Sequence, residues 1–197
     1  MPISRVLLTG HSYIRRLKEH LKSKGVDGFT VGSTQVKVDF VYSGGADYAR
    51  YNDSSRLKDW IMEFQPYIIL VVLAGNGIRT DVPVPVYYDA LRDFYNWLRG
   101  KFPGAIIISS ECETRFHEEN SFYNVPDKVE YDRRKVAVNK ILYRMKYKDY
   151  MMRFGRTFDN RGFFDDKGVH LNWDGNEKYW ETIMYTIHYV MEKENLF

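Results

Sequence analysis

Residues 67–74, YIILVVLA, limit the fold of this chain more than any other stretch. The run has strand length, carries no charge and shows no alternation. Such a strand has to be covered on both faces, as in the middle of a parallel sheet. It stops abruptly at Gly75-Asn76-Gly77. The same pattern recurs elsewhere. Residues 5–9 (RVLLT) stop at Gly10-His11-Ser12, and the alternating stretch 34–42 stops at Ser43-Gly44-Gly45. Residues 105–109 form another apolar run, and a short strand is expected near Thr157-Phe158.

Helical patterns fill the intervals. Residues 13–24 place Ile14, Leu17 and Leu21 on one face, and Asp53-Ser54-Ser55 offers N-caps for a helix over 56–64 that Pro66 closes. Helices are expected over 87–101, after the Pro-rich connection VPVPV, and over 174–192. Pro126 opens a long helical pattern to about residue 152, with Val138, Leu142, Met145 and Met152 on one side. Strand–helix alternation predicts one α/β domain over 1–197, a sandwich around a mainly parallel sheet of about five strands. The length suffices for a substantial core without metal or disulfide staples. In such sheets ligands bind beyond the carboxyl ends of the strands, where the three glycine-bearing turns are expected to lie.

A net charge of +3 permits an anionic partner without demanding one. Cys112 is the only cysteine, so no intramolecular disulfide forms; it has no activating context and reads as a quiet thiol. His20, His117 and His188 lack metal-ligand spacing and are expected at the surface. The opening MPISRVLLTG is too short in apolar residues for a secretory leader, and no stretch has the length of a membrane span. A soluble, cytoplasmic protein is the expectation.

Acyl transfer by serine needs a hydroxyl, a base within reach, a group orienting that base, and donors aimed at the developing oxyanion. Ser12 qualifies either as a helix N-cap or as the hydroxyl, and His170 as the base. Asp165 or Asp166 stands near enough to orient it. Gly44 would let backbone N–H approach a substrate, and Asn76 would add a side-chain donor.

The segments TGHS, YSGG, LAGNG and DDKGVHLNWDGNEKYW, in that order, resemble the four blocks of the SGNH (GDSL-like) hydrolase superfamily. The resemblance runs from Val6 to about Tyr179. RRL after the serine and NRGFF before the last block are similar to SGNH-like domains of invertebrate animals. The resemblance implies a flavodoxin-like three-layer α/β/α fold and hydrolysis of a small acyl ester through an acyl-serine intermediate, without cofactor or metal. By position it makes Ser12 the nucleophile, His170 the base, and Gly44 and Asn76 the oxyanion donors.

Three departures stand beside it. His11 precedes the serine where the family usually has Asp; Ala74 and Gly77 replace two members of the third block; Lys167 occupies the place of the family's orienting acid. Asp166, one residue earlier, is the nearest candidate to orient His170; a Ser–His dyad or a lost activity are the alternatives. Arg133 to Arg156 carries nine Lys or Arg against one acid, Asp149, interleaved with tyrosines. Read as a basic helix over 133–156, it supports a different class of function: a catalytically impaired binding module for nucleic acid or an anionic membrane surface. No Gly-rich phosphate fingerprint follows the first strand.

Overall fold

A computed structural model describes residues 3–116 and 126–196. Six strands form one sheet in the order β2-β3-β1-β4-β5-β6. They are β1 (Ile3–Gly10), β2 (Gly28–Val31), β3 (Thr34–Tyr42), β4 (Ile68–Val72), β5 (Ile106–Ser110) and β6 (Tyr150–Met152). Five are parallel, and β2 joins the edge antiparallel to β3. The expected five strands are thus six. Two of the six, β2 and β6, are not among those expected, and β2 is half of a hairpin whose two-residue turn, Gly32-Ser33, puts Gly32 at φ +57°, a left-handed conformation that suits glycine.

The helices are α1 (Ser12–Ser23), α2 (Tyr48–Asp53), α3 (Ser55–Phe64), α4 (Val84–Lys101), α5 (Lys128–Arg144) and α6 (Trp173–Lys193). Sheet alternation sorts the core into two halves. Val6, Leu8, Ile68, Leu70 and Val72 pack against α1 and α6, while Leu7, Ile69 and Val71 pack against α2 to α5. The architecture is a three-layer α/β/α sandwich. β4 is buried at every position, as its unbroken apolar sequence requires.

Two expectations fail for a shared reason. The helix projected from 126 to about 152 ends at Arg144, and residues 150–152 pair in parallel with β5 as strand β6. Asp149 secures the switch: its N–H donates to Ile107 O at 2.8 Å and its Oδ2 accepts from Ile107 N at 2.7 Å. Covering the open edge of β5 outweighs the local helical pattern. The basic stretch 133–156 is therefore a helix end, a turn, an edge strand and a loop rather than one helix. The strand expected at Thr157-Phe158 is a 3-10 turn, Thr157–Asp159. The helix expected from Tyr87 begins at Val84 instead, with proline within its first turn, where a missing N–H costs nothing.

The registers align what the site needs. Gly10 lies opposite Tyr42 on one side and Val72 on the other, so β1, β3 and β4 end together. His11 N donates to Val72 O at 3.2 Å and Ser43 N to Gly10 O at 3.1 Å, tying the turns at that edge. Among the described residues no helix is long and apolar enough to cross a membrane.

Gly10 has a steric role at this junction. A Cβ there would collide with the backbone carbonyl of Val72 and with the Ile14 side chain. Gly10→Ala is expected to cost about 2 kcal/mol and to lower Tm by about 4–8 °C; urea and thermal denaturation check this.

Candidate active site

The loop after the 3-10 turn Arg161–Phe163 decides where the acid stands. Phe164 bridges Leu171, and Asp165 N donates to His170 O at 2.7 Å. Gly168 closes the turn between them at φ +68°, its N–H donating to Asp165 O at 2.9 Å. Residue 165 is therefore placed opposite residue 170. Asp165 Oδ1 accepts from the N–H groups of Val169 and His170 at 3.3 and 3.4 Å, and Oδ2 lies 3.6 Å from His170 Nδ1.

Asp166, expected to orient His170, is instead exposed at the turn tip beside Lys167. Among the described residues its carbonyl accepts from Arg161 Nη2 at 2.8 Å. The acid beside the imidazole is Asp165. The separation of 3.6 Å is a charge contact rather than a hydrogen bond.

His170 reaches the front of α1. Ser12 Oγ and His170 Nε2 share a hydrogen bond of 3.0 Å across 158 residues of sequence. Ser12 does not cap the helix; His11 does, its Nδ1 accepting from Tyr13 N at 3.4 Å. The serine hydroxyl is thus left for the histidine. Tyr13 OH donates to Val169 O at 2.7 Å and fastens the histidine loop to α1.

The imidazole is brought down from its ordinary value to about 4. Burial is the largest cause, and the positive Arg16 adds to it; Asp165 pulls the other way. Arg16 Nη1 sits 3.9 Å from Asp165 Oδ2, sharing the carboxylate. His170 is consequently neutral through the physiological range, the form in which it accepts a proton.

The third turn meets the second here. Asn76 Nδ2 donates to Ala46 O at 3.1 Å, and Asn76 Oδ1 accepts from Arg115 Nη2 at 2.6 Å. Gly44 is exposed, with open space over its Cα, while the left-handed residue of that turn is Gly45 at φ +70°. Gly77, one of the departures, is required because the Tyr87 ring occupies the space a side chain would need. Tyr87 OH donates to Ala74 O at 2.9 Å.

Other expectations resolve plainly. Cys112 is buried, and burial pushes its thiol up to about 12. His188 is exposed, whereas His20 is buried with Nε2 2.8 Å from Glu177 Oε1. His117 lies outside the described residues. Glu113 and Arg115 were missed by the sequence reading. Charged residues at alternate positions in ECETR, directly after a buried strand, are the one feature of the sequence that marks them, and it says nothing of their burial.

Fold and site together define a three-layer α/β/α architecture with a serine and a histidine joined at the carboxyl edge of the sheet. Solved structures share that fold. A GDSL-like lipase from Bacteroides thetaiotaomicron superposes with a TM-score of 0.67 at 11% identity, over 95% of this chain and 89% of the other. A carbohydrate esterase family 3 protein from Talaromyces cellulolyticus gives 0.66 at 13% identity, over 96% and 99%. The psychrotrophic esterase EstA from Pseudoalteromonas, in a form inhibited by monoethylphosphonate, gives 0.55 at 11%, over 93% and 98%. No protein family matches the sequence, and no curated relative does.

The charges around His170 set its titration. By NMR its imidazole is expected to titrate with a midpoint near 4. Arg16→Ala removes a repelling cation and moves the midpoint up; Asp165→Asn removes an attracting anion and moves it down. Between the ordinary histidine range and that midpoint the unfolded chain binds the proton and the folded one does not. This histidine's contribution to stability therefore falls as pH falls through that window.

Proposed function

We infer that this protein is a serine carboxylester hydrolase acting on a small acyl ester. The observation that carries the reading is the 3.0 Å approach of Ser12 Oγ to His170 Nε2, with the Asp165 carboxylate behind the ring. The shared fold of esterases and lipases supports it.

In the first half-reaction Ser12 Oγ attacks the acyl carbon as His170 Nε2 takes the hydroxyl proton. The negative oxygen of the tetrahedral intermediate is held by the N–H of Ser12 at the start of α1, the N–H of Gly44 and the free Nδ2–H of Asn76. The imidazolium gives its proton to the departing alkoxide, leaving acyl-Ser12 and an alcohol. Water then loses a proton to His170, attacks the acyl carbon and releases the carboxylic acid and Ser12. Asp165 stabilises the imidazolium in both halves. The starting base is neutral near pH 7, so no proton has to be removed from it before the first step.

A second reading, a binding module for nucleic acid or anionic lipid, retains the basic residues of 133–156 as its motive. Several of these are committed within the protein. Arg133 and Arg134 each meet Glu130 at 2.6 Å, and Lys135 Nζ donates to Thr114 Oγ1 at 3.0 Å. Salt-dependent binding of single-stranded RNA or anionic vesicles, with no labelling by a fluorophosphonate, would favour it over the hydrolase.

Hydrolysis of p-nitrophenyl acetate, read alongside phosphonate labelling of Ser12, tests the reaction. Ser12→Ala is expected to lower kcat by at least about 10³-fold. Asp165→Ala is expected to lower it by about 10²-fold or more, while Asp166→Ala leaves it unchanged. Equal turnover in Ser12→Ala and the unaltered protein would refute the mechanism; a loss in Asp166→Ala matching that of Asp165→Ala would refute the assignment of the acid.

A further inference from the structure

Behind the Ser12–His170 pair lies a cluster of buried charge that the reaction above does not use. Glu113 and Arg115 follow the carboxyl end of β5 and are 3% and 7% exposed, and His11 is fully buried. The two charged groups converge on Gly75. A Cβ there would stand 2.6 Å from Glu113 Oε2 and 3.0 Å from Arg115 Nη2, so the absence of a side chain makes room for both. Arg115 donates to Asn76 Oδ1 at 2.6 Å and lies over the Tyr131 ring, 5.4 Å from its centroid. Glu113 Oε1 faces His11 Nε2 at 3.3 Å. Burial would raise the Glu113 carboxyl, but His11 and Arg115 outweigh it and hold the group below the usual carboxylate range.

We propose that Arg115 is a positioning residue that fixes which end of the Asn76 amide faces the substrate, with the Tyr131 ring beneath it and the buried Glu113 carboxylate balancing its charge. This rests on the ester-hydrolase reading. An asparagine side chain has nearly the same shape when turned over, with oxygen and NH2 exchanged. Facing a developing oxyanion, one orientation offers a donor and the other an acceptor that repels it. A guanidinium only donates, so Arg115 takes the oxygen end. The carbonyl of Ala46 only accepts, and takes one Nδ2–H at 3.1 Å. That leaves the second Nδ2–H without an acceptor among the described residues, available to the substrate.

The cation also polarises the amide it holds, which strengthens the remaining N–H as a donor in a site of low dielectric. A lone buried guanidinium would be costly; the charge of the buried Glu113 carboxylate, which also converges on Gly75, offsets that cost. Because His11 also caps α1, the same cluster grips the turn that carries Ser12.

The test is a double-variant cycle in steady-state hydrolysis of p-nitrophenyl acetate, with thermal melting to confirm folding. Arg115→Met is made alone and together with Glu113→Gln, so that one version leaves no unpaired buried carboxylate. Arg115→Met is expected to lower kcat by about 10–100-fold with KM nearly unchanged, and Asn76→Ala by about 10²–10³-fold. The combined Asn76→Ala/Arg115→Met protein is expected to be no slower than Asn76→Ala. Arg115→Lys, which returns a charge without the planar fork, should recover part of the loss. Losses that multiply in the combined protein, or unaltered kcat in Arg115→Met, would overturn the proposal.

Ser12→Ala, run in parallel, isolates the hydrolase reading. If turnover survives in it, the side-chain amide resonances of Asn76 decide the positioning role. These should shift or broaden in Arg115→Met and recover in Arg115→Lys; identical resonances in Arg115→Met and the unaltered protein would overturn it.

Discussion

Parallel pairing of β1 with both β3 and β4 governs everything at the site, because it ends three strands at one level. With Gly10 opposite Tyr42 and Val72, the chain has to leave the sheet three times within a narrow strip. Each exit exposes backbone groups at the sheet edge, and in an α/β sheet of this order that edge, at β1 and β4, is where the strand order reverses. The close approach of β1 to β4 is what bars a side chain from Gly10. A single register thus sets the position of Ser12, the second turn and Asn76 before any side chain makes a contact.

Electrostatics then differentiate two histidines a few residues from the same point. His170, partly exposed, is destabilised as a cation by burial and by Arg16, and keeps a carboxylate near its other nitrogen. His11, fully buried, spends one nitrogen on capping α1 and turns the other to Glu113. One ring stands at the surface of the site and the other beneath it. The acid usually found before the serine in the resembled family is replaced here by a base, and an acid from the end of β5 faces that base across the core.

Most of the layer order was legible, for physical reasons. The unbroken β4 segment, the alternating β3 segment and the amphipathic α1 pattern report burial directly, and burial is what the sheet demands. Ser12, Asn76 and His170 stand out in the sequence through the ordered blocks that carry the resemblance, and the fold brings Ser12 and His170 to 3.0 Å. What escaped depended on partners remote in sequence. The strand β6 lay inside a convincing helical pattern, and only the open edge of β5 could reassign it. The strand β2 was passed over although Val31-Gly32-Ser33-Thr34 carries a hairpin signal. Counting along the chain favours Asp166 over Asp165, whereas the backbone bond from Asp165 to the His170 carbonyl pairs residues across a loop. Arg115 and Glu113 gave no hint of burial, since charged residues just past a strand ordinarily face water.

The cross-loop bond has an evolutionary corollary. His170 and Asp165 are clamped at the neck of a small loop, and the exposed tip, Asp166 and Lys167, bears none of that clamp's bonds through its side chains. Insertions or deletions at such a tip would lengthen or shorten the interval between acid and base while the neck keeps its shape. Loops built this way can drift away from any fixed-interval signature, and a search keyed to the count of residues would pass over them.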